Sequence, residues 1–281
     1  MTYLENSPCL GALVTSTLLS TIALATPGQA ATFSSVQAQF SFNNFSHPAQ
    51  TTLTNTFTDT LAISQGGEVL ARGDAEAFFA SGLQSDTSTL ATNTILGVAA
   101  GSGRNYLGIA ESTASILGDF ALGANETFSF NFSGWLELDT AINDASYESA
   151  FALGFLGFSV LGPANQVYDS FSLLATLETP GPQTSLTINL LNSLPMGNQS
   201  GIQISTLTIG SQSSELDNSL FIGFGGTYRR TVSEPTLVSL GETKTGIAAV
   251  QQVPTPSLLG GILSFGWAGL VSKLRRRLAS D

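Results

Sequence analysis

Cysteine and histidine are almost missing from this chain of 281 residues, which contains one of each. Cys9 lies in an N-terminal segment that we expect to be removed. The mature protein would then have no disulfide, no thiol nucleophile and no cysteine-based metal site. A single histidine cannot build a three-histidine metal site, and no serine–histidine relay is visible around it. We interpret His47, which follows NNFS and precedes Pro48, as a loop residue.

Positive charge is also scarce, because nine lysines and arginines stand against 20 aspartates and glutamates. Four of the nine lie within the last nine residues of the chain. Residues 31–252 therefore carry five basic and 18 acidic side chains, a net charge of −13. Such a surface argues against attraction to nucleic acid or to anionic lipid headgroups, and it suits a soluble extracellular protein.

Glycine and phenylalanine are abundant, at 29 and 18 residues, and apolar side chains alternate with polar ones between residues 31 and 251. A period of two predicts strands with one buried face. The predicted apolar faces are Val36, Ala38, Phe40 and Phe42; Leu53, Phe57, Leu61 and Ile63; Phe128, Phe130, Phe132, Leu136 and Leu138; Phe171, Leu173, Ala175 and Leu177; and Leu186, Ile188 and Leu190. Turn signals such as TPGPQ and SELDNS separate these runs, and none resembles a βαβ crossover. The pattern predicts one all-β domain, an antiparallel β-sandwich or jelly roll.

The N-terminal 30 residues have the pattern of a secretory signal peptide. An apolar run covers residues 10–25, and Gly28 and Ala30 occupy the −3 and −1 positions of a cleavage site. The run is short for a membrane span, which favours a cleaved signal helix over a permanent anchor. We expect cleavage after Ala30.

The C-terminal segment, residues 252–281, combines three features in a fixed order. Pro254, Thr255 and Pro256 come first, and an apolar run follows at residues 258–271. As a helix this run would be about 21 Å long against a hydrocarbon core of about 30 Å, so it predicts a short transmembrane helix. A basic cluster ends the segment and should keep that end of the helix on the cytoplasmic side. Its members are Lys273, Arg275, Arg276 and Arg277.

The proline motif, the glycine-rich apolar run and the terminal arginines resemble the PEP-CTERM sorting signal of bacterial surface proteins. The form VPTPSLLGG is most similar to the PTPA-CTERM variant seen in cyanobacteria, with Thr255 between the prolines and Ser257 after them. The resemblance covers about the last 28 residues. It implies export, an exosortase-type membrane protease as partner, and removal of the tail near the proline motif. The strands and glycine turns around Trp135 also resemble the β-sandwich bodies that such proteins often carry.

Acidic clusters are the remaining source of chemistry in the sequence. A glycosidase needs two carboxylates at a set separation, and calcium binds carboxylate and amide oxygens. Two clusters offer such groups: Glu137, Asp139 and Asp144, and Glu215, Asp217 and Asn218. Neither matches an EF-hand loop, so we interpret both as ordinary acidic surface segments. We predict no catalytic residue, no metal site and no cofactor, with calcium as the one ion that these oxygens would suit.

Together these features predict an exported, non-enzymatic protein of the cell surface or the extracellular polysaccharide matrix, with a structural or adhesive role. It would first be a membrane-anchored precursor and then a surface or extracellular protein. Two alternatives stay open. The first is a carbohydrate-binding module that uses exposed aromatic residues such as Trp135 or Tyr147. The second is a secreted glycan-active hydrolase that uses carboxylates.

Overall fold

The computed structural model describes residues 32–80, 90–181, 183–192 and 201–252. The predicted signal peptide with Ala30 and the predicted transmembrane helix lie outside these residues. So do the residues of the sorting motif and of the basic cluster: Pro254, Thr255, Pro256, Lys273, Arg275, Arg276 and Arg277. Within the described ranges, no helix has the length and the hydrophobicity that crossing a bilayer would require.

The described residues form twelve strands and one short 3₁₀ helix, Pro163–Asn165, which confirms the all-β prediction for them. The strands are β1 (Thr32–Asn43), β2 (Thr51–Ser64), β3 (Gly67–Ala80), β4 (Leu90–Gly103), β5 (Tyr106–Leu122), β6 (Thr127–Ile142), β7 (Glu148–Leu161), β8 (Val167–Thr179), β9 (Gln183–Asn192), β10 (Gly201–Ser213), β11 (Asp217–Thr231) and β12 (Thr236–Gln252).

Two six-stranded sheets pack face to face as a sandwich. The front sheet has the order β10-β11-β6-β1-β4-β3, and the back sheet has the order β2-β5-β12-β7-β8-β9. Each strand pair is antiparallel. The chain changes sheet between β2 and β3 through a tight turn at Gly66, whose φ of 112° favours glycine. The predicted antiparallel sandwich is therefore confirmed.

The predicted faces of β1 and β6 are the ones that the sandwich buries. Phe40 and Phe42 of β1 are fully buried, and so are Phe128 and Phe130 of β6. These rings belong to an aromatic core between the sheets, in which Phe40 and Phe42 stack with ring centroids 4.6 Å apart. Phe158 of β7 meets both rings edge-on at 5.7 and 5.5 Å. Such contacts fix the spacing of the two sheets.

The predicted burial of the apolar faces of the two edge strands of the back sheet is wrong. On β9, Ile188 and Leu190 are exposed and Leu186 is only partly buried. On β2 the whole predicted face is exposed, namely Leu53, Phe57, Leu61 and Ile63. They lie opposite the outward-facing residues of β5, with Leu61 beside Ile109 and Ile63 beside Leu107. The inward positions of β2 carry threonines, because this edge strand meets the close-packed small residues of β3 rather than the phenylalanine core. A Cβ atom on Gly73 of β3 would lie 3.2 Å from the Cβ of Thr58.

The two ends of the described body meet at one end of the sandwich. Thr32 opens β1, and its hydroxyl is hydrogen-bonded to the hydroxyl of Tyr106. Tyr106 opens β5 and lies opposite Gln252, the last residue of β12. β12 occupies an interior position of the back sheet, paired with β5 on one side and β7 on the other.

Candidate functional site

The outer face of the front sheet carries the aromatic residue that the sequence singled out. Trp135 projects from β6 on the side opposite to the buried residues Leu136 and Leu138. Its ring nitrogen donates a hydrogen bond of 3.1 Å to Oε1 of Gln39, the residue opposite it on β1. This bond fixes the plane of the indole ring, so Trp135 is an oriented platform rather than a loose side chain.

A second aromatic ring lies close to Trp135. On the other side of β6, the residue opposite Trp135 is Gly223 of β11, which has no side chain to cover the indole. A Cβ atom on Gly223 would lie 3.2 Å from the ring of Phe221, so that ring leans over the glycine. Phe221 is 41% exposed. The two rings therefore flank one bare stretch of backbone on the same face.

Two carboxylates share this face with the aromatic pair. Glu137 and Asp139 follow Trp135 at every second position of β6, which confirms that they lie on one side of the strand. Partial burial raises the pKa of Glu137, and the negative charge of Asp139 raises it further. Partial burial also raises the pKa of Asp139, although a hydrogen bond of 3.3 Å from Ser35 opposes this. Asp139 is half-buried, whereas Glu137 remains exposed to solvent.

A row of hydroxyl groups extends the face toward the opposite edge of the sheet. Ser133 of β6 lies opposite Ser41 of β1, and Ser41 lies opposite Thr92 of β4. The hydroxyls of Ser41 and Thr92 are 3.1 Å apart. Phe78 of β3, which is exposed, ends the row beside Thr92. Trp135 is on β6 and Phe78 is on β3, three strand spacings away. At about 4.8 Å per spacing, these two strands lie roughly 14 Å apart. We call this outer surface of the front sheet the front face. Its residues are Phe221, Trp135, Gln39, Glu137, Asp139, Ser133, Ser41, Thr92 and Phe78.

Tyr147 and Asp144 do not belong to the front face. Both lie in the turn between β6 and β7, where a carboxylate oxygen of Asp144 accepts a hydrogen bond from the backbone of Ser146 at 2.9 Å. The backbone carbonyl of Asp144 accepts from Tyr147 and Glu148. Asp144 thus stabilises the turn and does not lie with Glu137 and Asp139 on the strand.

The second acidic cluster is divided between the surface and the interior. Asp217 is exposed, whereas Asn218 is fully buried at the start of β11. The amide nitrogen of Asn218 donates to Thr179 at 2.7 Å and to the carbonyls of Glu178 and Gly181 at 3.1 Å each. Its amide oxygen accepts from Ser213 at 2.5 Å. These hydrogen bonds use its side chain in holding two turns together. Among the described residues, no three histidines, cysteines or acids lie close enough to hold a metal ion.

His47 lies in the loop between β1 and β2, where the sequence indicated a loop. Its Nε2 lies 3.1 Å from a carboxylate oxygen of Glu126, and its Nδ1 lies 2.8 Å from the hydroxyl of Ser46. A backbone hydrogen bond from Gly123 lowers the pKa of Glu126, and the contact with His47 lowers it further. The histidine thus links two surface loops.

Sequence reasoning missed the polar groups inside the sandwich. Glu242 and Lys244 of β12 point between the sheets and are 2% and 0% exposed, and Asn93 of β4 meets them from the front sheet. The sequence does contain a signal, because Glu242 and Lys244 continue the alternating face of β12 that begins with the apolar residues Val238 and Leu240. Charged side chains are rarely buried, however, so the sequence alone favours an exposed position for both.

The comparisons with known proteins identify no relative of this chain. No family model matches it, and no curated protein or solved structure matches it significantly.

Proposed function

We propose that this chain is an exported adhesive protein of the cell surface that holds polysaccharide against the front face. The sequence predicts a non-enzymatic role in the extracellular matrix, with carbohydrate binding as an alternative. The two are compatible, because an adhesive protein needs a surface that recognises the matrix.

The front face is the observation that carries this proposal. Sugar rings stack on aromatic side chains through their C–H groups, while their hydroxyls need donors and acceptors nearby. The front face offers Trp135 and Phe221 at one end, Phe78 at the other, and hydroxyl and amide groups between them. Phe221 and Phe78 are exposed and Trp135 is half-buried, and aromatic rings grouped at a surface in this way mark interaction surfaces. The net charge of −13 would repel anionic chains, so the expected ligand is a neutral polysaccharide.

The terminal segments support the cellular location in this proposal. The signal peptide would take the chain to the secretory pathway, and the resemblance to PEP-CTERM tails implies processing by an exosortase-type protease. Membrane attachment would be through the helix at residues 258–271, and the final location would be the cell surface or the surrounding matrix. No catalytic residue and no cofactor form part of this function.

The test compares two aromatic residues in affinity gel electrophoresis. Protein recovered from the cell surface is run through native gels with and without neutral soluble glucans, mannans and galactans. We expect one of these to retard the protein, and Trp135→Ala to weaken the affinity at least about fivefold by loss of stacking, which is about 1–3 kcal/mol by analogy with base stacking. Tyr147→Ala is the control, because Tyr147 is 42% exposed but lies off the front face.

Equal loss in both variants, or no retardation by any neutral polysaccharide, would refute binding at the front face. An unchanged far-ultraviolet circular dichroism spectrum establishes that each variant is folded.

A glycan-active hydrolase is the second candidate, favoured by one observation. Glu137 and Asp139 are neighbours on the front face, and the pKa of each carboxyl is raised, as a general acid requires. Release of reducing sugar from a bound polysaccharide, abolished by Glu137→Gln while binding persists, would establish this activity in place of simple adhesion.

A further inference from the structure

Asn93, Glu242 and Lys244 form a closed polar cluster in the centre of the sandwich. Asn93 belongs to β4 of the front sheet, and the other two belong to β12 of the back sheet. All three side chains are at most 2% exposed. Their neighbours across the strands are apolar: Phe40 is opposite Asn93, Phe158 is opposite Glu242, and Leu156 is opposite Lys244. The three side chains are therefore shielded from bulk water.

The contacts place a carboxyl group between an amine and a carboxamide. Oε2 of Glu242 accepts a hydrogen bond from the side-chain nitrogen of Asn93. Oε1 of the same carboxyl lies 3.8 Å from Nζ of Lys244. Nζ also donates a hydrogen bond of 2.7 Å to the backbone carbonyl of Asn93, which holds the amine against the residue that carries the carboxamide.

The cluster is poorly satisfied as a set of non-covalent contacts. Among the described residues, Oδ1 of Asn93 and Oε1 of Glu242 are buried without a hydrogen-bond partner. A buried acceptor without a partner lowers stability, and a buried ion pair often stabilises a fold less than apolar packing would. Lys244 is also the only lysine between residues 31 and 252. The single lysine of this region therefore lies in the core, where a charged side chain is least favourable.

Burial moves both ionisable groups toward their neutral forms. It raises the pKa of Glu242 to about 7 and lowers the pKa of Lys244 to about 8, although the charge of each group opposes the shift of the other. A neutral amine has a free lone pair and is a nucleophile, whereas an ammonium group is not. A carboxyl group with a pKa near neutrality can accept and return a proton.

We propose that Lys244 and Asn93 join in an amide cross-link between the two sheets, formed by the protein itself with Glu242 as the proton carrier. Nζ of Lys244 attacks Cγ of Asn93, and a new N–C bond forms. Glu242 begins as the neutral acid with its proton on Oε2. It takes a proton from Nζ on Oε1 and delivers the proton of Oε2 to Nδ2 of Asn93, so the carboxyl group ends in the state in which it began. The bond between Cγ and Nδ2 then breaks, and ammonia leaves. No oxidant, metal or second substrate is needed.

The fold supplies the conditions for this reaction. Amines and carboxamides do not react in water at neutral pH, but an amine and a carboxamide that are both held beside one carboxyl group in a rigid core behave as if present at very high concentration. The exclusion of water also protects the intermediate from hydrolysis. The cross-link does not depend on the proposed function, because it would form in the folded protein whatever the front face binds.

The test is tryptic peptide mapping of the full-length protein after denaturation. Cleavage at Arg72 and Arg104 releases a peptide that contains Asn93, and cleavage at Arg230 begins the peptide that contains Lys244. We expect these two peptides to remain linked, with a combined mass lower by one ammonia and with no cleavage after Lys244. Two separate peptides, with cleavage after Lys244, would overturn the proposal.

The matched variant is Glu242→Gln, which keeps the shape of the side chain but cannot carry the proton. We expect it to fold with the same strand content by circular dichroism and to release the two peptides unlinked. Full linkage in this variant would overturn the role of Glu242. If the variant does not fold, linkage in the unaltered protein still decides the cross-link, and fragment spectra that locate the bond at Lys244 Nζ and Asn93 Cγ identify its atoms.

Discussion

Asp169, at the start of β8, is a fully buried carboxylate whose charge is balanced by side chains of the opposite sheet. The hydroxyl of Tyr228 donates to its Oδ2 at 2.9 Å, and Nη1 of Arg230 donates to the same oxygen at 3.0 Å. Arg230 also packs on the ring of Tyr168, 3.8 Å from its centroid. Burial and the neighbouring carboxylate raise the pKa of Tyr228, so this hydroxyl remains a donor at physiological pH. The group ties β8 to β11.

Replacement of Arg230 by methionine should leave the Asp169 charge buried without its guanidinium partner. We expect the free energy of unfolding to fall by about 3 kcal/mol or more, because removal of one partner exposes the full desolvation cost of the other. Urea unfolding followed by tryptophan fluorescence measures the change.

Arg229→Met is the matched control for this prediction. Arg229 is the adjacent residue on β11, but it is exposed and points away from the sandwich. Its replacement should change the free energy of unfolding by no more than about 0.5 kcal/mol. Equal effects of the two variants would show that the buried ion pair has no special role.

Among the strands, β6 and β7 approach closely enough to require a glycine at their contact. A Cβ atom on Gly154 of β7 would lie 2.3 Å from the side chain of Leu136 of β6, which is itself fully buried. Leu136 therefore fills the space that a larger residue at position 154 would need. This contact joins the central strands of the two sheets.

Gly154→Ala should force Leu136 out of its preferred position and lower the free energy of unfolding by about 1–3 kcal/mol. The control is Gly210→Ala in β10, where nothing lies within 4 Å of the new methyl group. That change should be neutral or stabilising, because alanine restricts the unfolded chain. Thermal unfolding of both variants gives the comparison, and an equal fall in the two melting temperatures would contradict close packing at Gly154.

The all-β class and the strands with clear alternation could be predicted from the sequence, but glycine- and alanine-rich strands such as β4 and β7, and the neighbours of each strand, could not. The buried faces of β1 and β6 followed from alternation, because interior strands repeat one environment along their whole length. β2 has the same alternation with the opposite outcome, since an edge strand has no phenylalanine core on its inner side. Trp135, Glu137 and Asp139 were visible in the sequence. Gln39, Phe221 and Phe78 joined them only through pairings between residues far apart in the chain, which no local pattern records.

At the scale of the whole molecule, charge is divided between an acidic body and a basic tail. The body carries −13, and the last nine residues carry four basic side chains. Moving one such residue to the centre of a bilayer costs about 2.5 kcal/mol or more, so four of them resist translocation even when the apolar segment is short. In the proposed pathway, the tail would hold the precursor in the membrane while the protease acts at the proline motif.

Two sets of tail variants should therefore behave differently. Replacement of Lys273, Arg275, Arg276 and Arg277 by glutamine should release unprocessed protein from the cell. Replacement of Pro254 and Pro256 by alanine should instead leave full-length protein in the membrane fraction. Fractionation and immunoblotting distinguish the two, and parental behaviour of both sets would show that the tail is not a sorting signal.

The position of β12 determines how the sandwich would respond to mechanical force. In the proposed anchored precursor, a pull on the bound polysaccharide would be resisted at Gln252, where β12 ends. β12 is paired along its whole length with β5 and over residues 239–252 with β7. Tension along this strand shears both ladders at once, so their hydrogen bonds share the load and do not open one after another. Thr32 lies at the same end, so the opposite end of the sandwich would face away from the cell.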